Sequence, residues 1–97
     1  MDNERTITDA MLAAEIDAAG KNFDSHEIIL AVARDNQQDY VHDLYRWVNS
    51  EAPFKRLHSQ LGKRIKEICT IKGIPHVSTK ASPDIFAQGS SCANYEK

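Results

Sequence analysis

What this sequence lacks narrows it quickly. No apolar run approaches eighteen residues, so nothing in it reads as a membrane span. Residues 1–8, MDNERTIT, have no cationic start and no apolar middle, so they do not read as a secretory signal. The expectation is a cytoplasmic chain whose two cysteines, Cys69 and Cys92, are reduced thiols. Metal-ligand spacing is also missing. There is no C-x-x-C and no H-x-x-x-H among His26, His42, His58 and His76. His58 and Cys69 fall near one helical face but three turns apart, too far to share an ion. No metal and no cofactor is therefore expected. Catalytic constellations are equally scarce, with no glycine-rich phosphate loop and no nucleophile elbow. Ser25, His26 and Glu27 are adjacent, and adjacent helical residues do not face each other. Asp39 and Asp43 lie one turn apart, a spacing read as solvated acids on an exposed helix face. The chain reads as a non-enzyme with no evident small-molecule substrate.

What is present suits one small globular domain. The 97 residues are 41% apolar and 27% charged, enough for a single modest core. The net charge of −2 conceals a segregation. Residues 1–52 hold four Lys or Arg against eleven Asp or Glu, a balance of −7. Residues 53–72 hold six cations and one acid, a balance of +5, and residues 73–97 are neutral. Two surfaces with different partners are implied. The acidic total weakens a simple nucleic-acid assignment, since dedicated binding domains are usually basic overall.

Four helices are expected. The first covers 6–19, with Thr6 as cap, Ile7, Met11 and Ile16 as its apolar stripe, and Gly20 as a left-handed stop. The second covers 23–36. Asp24 is its N-cap, Glu27 sits at N3, and Phe23 and Ile28 form a hydrophobic staple. Its run Ile28–Ala33 is apolar nearly all round, so it is placed at the centre of the core. A buried strand would fit the same run, and the capping residues decide for helix. Asp35 or Asn36 caps a third helix over 37–49, whose core face is Val41, Leu44, Tyr45 and Val48, widened by Tyr40 and Trp47. Pro53 opens the fourth, 54–71, with Phe54, Leu57, Leu61, Ile65 and Ile68 as core and Gly73 and Pro75 as stops. Gly62, inside this helix, is read as permitting close helix packing.

Beyond residue 73 the pattern changes. Ile74–Val77 and Ile85–Phe86 flank a polar turn with Pro83 and Asp84, which reads as a β-hairpin. GSSCANYEK, 89–97, reads as a tail with Tyr95 docking back. The layout is an N-terminal arm and helix at 1–22, a core at 23–88 and the tail.

The fourth helix carries the one physical lead. At about 100° per residue, Lys55, Arg56, Lys63 and Lys66 share a face opposite the apolar stripe, together with Ser59. Lys63, Arg64, Lys66 and Lys72 gain from the helix dipole near the C-terminus. Lys55 and Arg56 do not, because they sit in the first turn where the dipole opposes them. Helices followed directly by a hairpin, with cations on the last helix, resemble the winged helix-turn-helix superfamily. That resemblance covers about residues 23–88 and rests on element order, helix lengths and charge placement. It implies a mostly α, winged-helix-like fold of four helices and a C-terminal hairpin. It also implies a small DNA-binding or DNA-associated regulator of transcription. The 37–49 helix would be the first of the motif and 54–71 the reader in the major groove. Lys55, Arg56, Ser59, Gln60, Lys63 and Lys66 would face duplex DNA, with Lys80 on the wing. Lys and Arg would supply phosphate attraction, and Arg56, Gln60 or Ser59 any base reading.

The alternative is a protein-interaction module. Asp2, Glu4, Asp9, Glu15, Asp17 and Asp24 precede or line the first helix. They would offer a docking face to a basic partner or to residues 54–72 of a second copy.

Overall fold

The computed structural model describes residues 6–83 and 89–97, and for residues 80–83 and 89–91 the backbone alone. Four helices lead into a small antiparallel sheet. In chain order these are α1 (Asp9–Ala18), β1 (Asn22–Asp24), α2 (Ser25–Asp35), α3 (Gln37–Tyr45), α4 (Pro53–Lys72), β2 (His76–Pro83) and β3 (Gly89–Glu96). Among the described residues no helix is long and apolar enough to cross a membrane.

Helix α1 starts two residues later than Thr6 would place it. Thr8 is the cap, its side chain accepting the Met11 N–H at 3.2 Å. The helix ends at Ala19 in extended backbone, so Gly20 supplies no left-handed stop and the chain runs straight into β1. Helix α2 follows its capping residues. Asp24 Oδ1 accepts the Glu27 N–H at 2.8 Å, and Phe23 and Ile28 are both buried. It is not buried all round, because Leu30 faces solvent while Ile28, Ile29 and Val32 enter the core. Helix α4 is the long spine. Leu57, Leu61, Ile65 and Ile68 are buried with Cys69 beside them, and Gly73 at φ 75° ends it in the left-handed conformation. Phe54 is the exception to its expected stripe, 41% exposed at the N-terminal end.

The sheet corrects the reading of the C-terminus. Residues 89–96 are not a tail but the central strand of order β1–β3–β2. Phe23 lies opposite Tyr95 and Asp24 opposite Asn94, while β2 pairs with the other edge of β3 from His76–Tyr95 to Pro83–Gly89. The hairpin is therefore real but longer than its apolar pieces suggest. Asp84, Ile85 and Phe86 fall outside the described residues. Tyr95 is buried and stacks on Phe23 with centroids 5.4 Å apart, which ties the sheet to the core.

The α3 region keeps only part of its expected face inward, namely Tyr40, Leu44 and Trp47. Val41, Tyr45 and Val48 are 61%, 72% and 52% exposed. The inward residues are Tyr40, Asp43, Leu44 and Trp47, the same helical spacing moved by one position. Asp43 is also not the solvated acid expected. It is 5% exposed and accepts hydrogen bonds from Thr6 Oγ1 and, at 2.9 Å, from the Ile7 N–H. A carboxylate on the inner face is stable here because it satisfies a buried backbone donor and pins residues 6–7 over α3. Replacing it by alanine strands the Ile7 N–H, so Asp43→Ala is expected to lower unfolding free energy by about 2–3 kcal/mol. Urea unfolding measures this, and an unchanged midpoint would remove Asp43 as the anchor.

Candidate nucleic-acid interface

The fourth helix presents its polar side chains as the spacing requires. Burying Leu57, Leu61, Ile65 and Ile68 forces the opposite face outward. Lys55, Arg56, Ser59, Gln60, Lys63 and Lys66 are all exposed on it. The backbone of Lys80 lies in β2 opposite Cys92, while its side chain is outside the description.

The six cations of α4 divide into two groups. Arg64 pairs with Asp9 at 2.8 Å and donates to the Ile7 carbonyl at 2.9 Å. Lys72 pairs with Asp17 at 2.8 Å. These two fasten α1 onto α4, so Asp9 and Asp17 meet the basic helix of their own chain. Lys55, Arg56, Lys63 and Lys66 have no ion-pair partner among the described residues. The start of α4 accentuates this. Ala52 is its N-cap with no side-chain hydrogen bond, Pro53 opens the first turn, and no acid occupies that turn. Two cations thus stand at the positive end of the helix dipole. Each cation there costs about 0.3–1 kcal/mol against the dipole, so helix stability does not account for Lys55 or Arg56.

Tertiary packing adds residues that sequence spacing does not reveal. A shallow groove beside α4 is lined by Lys55, Arg56, Ser59, Gln60 and Lys63, with Trp47 and Glu51 opposite. Its neighbour, sharing Trp47 and Gln60, adds Arg46 and Arg64. Arg46 lies ten residues before Arg56 on another element, and only the fold brings it to this surface. Behind the helix, Tyr40 Oη and His58 Nε2 share a hydrogen bond of 2.6 Å. Burial pushes the Tyr40 phenol up to about 12, so the hydroxyl keeps its proton at neutral pH. His58 is thereby held at the core edge, as its position on the helix suggests.

Gly62 does not serve close packing. A Cβ built there meets no atom within 4 Å. Glycine in a helix interior costs about 0.5–1 kcal/mol relative to alanine. Gly62→Ala is therefore expected to raise unfolding free energy by about that amount, read as a higher thermal midpoint. A lower midpoint would show a steric constraint on this face.

A second cluster lies at the β1–α2 junction. One ligand atom from each of Asp24, His26 and Cys92 falls within 4.8 Å of the others. Spacing could not show this, since Cys92 reaches the other two only through the pairing of β3 with β1. Cys69 stands apart from the cluster. It is fully buried, and burial pushes its thiol up against the opposing pull of Lys72 and Lys97. Neither cysteine is in a disulfide. Compared with known protein families, with curated proteins and with solved structures, the chain gives no match in any of the three.

Proposed function

We propose that this chain is a small, non-enzymatic DNA-binding domain of winged helix-turn-helix type, with α4 as its reader and the β2–β3 hairpin as its wing. One observation carries the reading. Lys55 and Arg56 stand exposed in the first turn of α4, against the dipole and without ion-pair partners among the described residues. Ser59, Gln60 and Lys63 continue the same face. Paired cations fasten α1, and the unpaired ones are those a polyanion would neutralise. The sheet order supports a wing, because β1 holds β3 to the helical body and β3 carries β2 outward. In this reading Lys66 and Lys80 extend the phosphate contacts, and any base reading would come from Arg56, Gln60 or Ser59.

A salt titration of duplex binding, with chelator present, tests the proposal. If Lys55, Arg56, Lys63, Lys66 and Lys80 each neutralise one phosphate, the logarithm of affinity falls against the logarithm of salt with a slope of about −4.5. Affinity that stays flat from low to physiological salt overturns the reading.

A second reading, docking on a protein partner, gains support from Val41 and Tyr45 on α3 and Val48 just beyond it, which are all exposed. The acidic first helix is less suited to it, because Asp9 and Asp17 already pair internally. Absence of duplex binding at low salt favours this second reading.

A further inference from the structure

We infer that Asp24, His26 and Cys92 form a binding site for one zinc-class divalent cation at the root of the hairpin. The three donors are a carboxylate, an imidazole and a thiol, the set that Zn²⁺ takes. They come from three elements, β1, α2 and β3, the last far along the chain from the other two, and converge to within 4.8 Å of one another. In a tetrahedral zinc site such atoms lie about 3.3–3.6 Å apart, so side-chain rotation of an ångström or so closes the set.

Each donor is held by something else. Asp24 is the N-cap of α2, where Oδ1 accepts the Glu27 N–H and fixes the carboxylate beside the other two donors. His26 follows in the first turn of α2. Cys92 sits on β3, two residues from Asn94, which lies opposite Asp24. His26 and Cys92 both line the groove between α2, α4 and β3, which gives an ion a way in and an open fourth position for water. Electrostatics decide in favour of binding. The α2 dipole opposes a cation at its N-terminus by about the strength of one weak surface contact. A thiolate and a carboxylate together neutralise the two charges of the ion, and direct ligation outweighs that opposition. Register shows what the ion would tie together. Strand β1 ends at Asp24, opposite Asn94, so β3 from Cys92 back to Gly89 runs past it and is paired only with β2. A bond from Cys92 to Asp24 and His26 would fasten that stretch to the start of α2.

Cobalt titration of the full chain, stripped with chelator and kept reduced, tests the site. One equivalent of Co²⁺ should produce a near-ultraviolet thiolate-to-cobalt charge-transfer band and visible bands of four-coordinate intensity, and Zn²⁺ should bleach both. Cys92→Ser should abolish the charge-transfer band, whereas Cys69→Ser should keep it. His26→Ala should weaken Co²⁺ binding at least tenfold. Asp24→Asn is the most informative variant, because asparagine caps a helix as well as aspartate does but brings no charge. It should retain the wild-type circular dichroism and still lose tenfold or more in affinity. No charge-transfer band with wild type at one equivalent overturns the proposal. So does a band that survives Cys92→Ser, or Asp24→Asn binding with wild-type affinity. Duplex binding plays no part in these readouts, so failure of one proposal leaves the other standing.

Discussion

A chain carrying Lys55→Glu, Arg56→Glu and Lys63→Glu together is expected to lose duplex binding at physiological salt while becoming no less stable. Three phosphate contacts disappear, which flattens the salt slope by about 2.7. Three anions replace three cations, so the net charge moves six units from −2 to −8. Attraction turns to repulsion over the whole α4 face, and affinity should fall by on the order of a thousandfold or more. Stability should move the other way. None of the three side chains has an ion-pair partner among the described residues, and all three are exposed. Glutamates at 55 and 56 sit at the positive end of the dipole and gain about 0.3–1 kcal/mol each where the cations lost it. A melting temperature at or above wild type, with binding gone, separates surface chemistry from unfolding. Retained affinity in a folded triple variant would show that α4 does not read DNA.

The same helix shows why some features were legible in the sequence and others were not. The stripe Leu57, Leu61, Ile65 and Ile68 and the Asp24–Glu27 cap depend on neighbours within one or two turns. Local periodicity and capping report such features directly. Helix α3 defeats that method because its inner face includes an acid. Hydropathy placed Tyr40, Leu44 and Trp47 inward, but it passed over buried Asp43 and added exposed Val41, Tyr45 and Val48. The signal that could have corrected it was Thr6-Ile7, thirty-six residues away, whose hydroxyl and N–H needed an acceptor. Phe54 erred similarly. As the second residue of its helix it overhangs the core and contacts the His58 ring at 6.0 Å instead of entering.

The trio at the β1–α2 junction was illegible for a different reason. Asp24 and His26 already had a sufficient explanation as cap and first-turn residues. Cys92 lay in a polar stretch with only Tyr95 to suggest burial. Nothing local connects them, and the connection is a three-residue strand pairing. Strand β1 itself was read as one half of a hydrophobic staple. Phe23 does stand beside Ile28 in the core, but it also pairs with Tyr95 across the sheet.

The status of residues 89–97 turns on Tyr95. Alone, GSSCANYEK has too little apolar surface to order itself, and a strand of such composition persists only when both edges are paired. Here both are at Asn94 and Tyr95, with β1 on one side and β2 on the other. Tyr95 is 2% exposed, stacks on Phe23 and contacts the His76 ring at 5.7 Å, so it joins all three strands to the core. Its burial also pushes the phenol up to about 12. Truncating it removes that joint and leaves a cavity beneath the sheet. Tyr95→Ala should cost about 3–5 kcal/mol, the range for deleting a buried aromatic side chain. For a domain of this size that lowers the melting temperature by on the order of 15–25 °C. Tyr95→Phe keeps the ring and should cost about 1 kcal/mol or less. Differential scanning calorimetry on the three proteins distinguishes the cases. If Tyr95→Ala melts within two or three degrees of wild type (roughly 0.5 kcal/mol), the last nine residues are a tail after all. The hairpin would then lose its attachment to β1, and with it the physical basis for a wing.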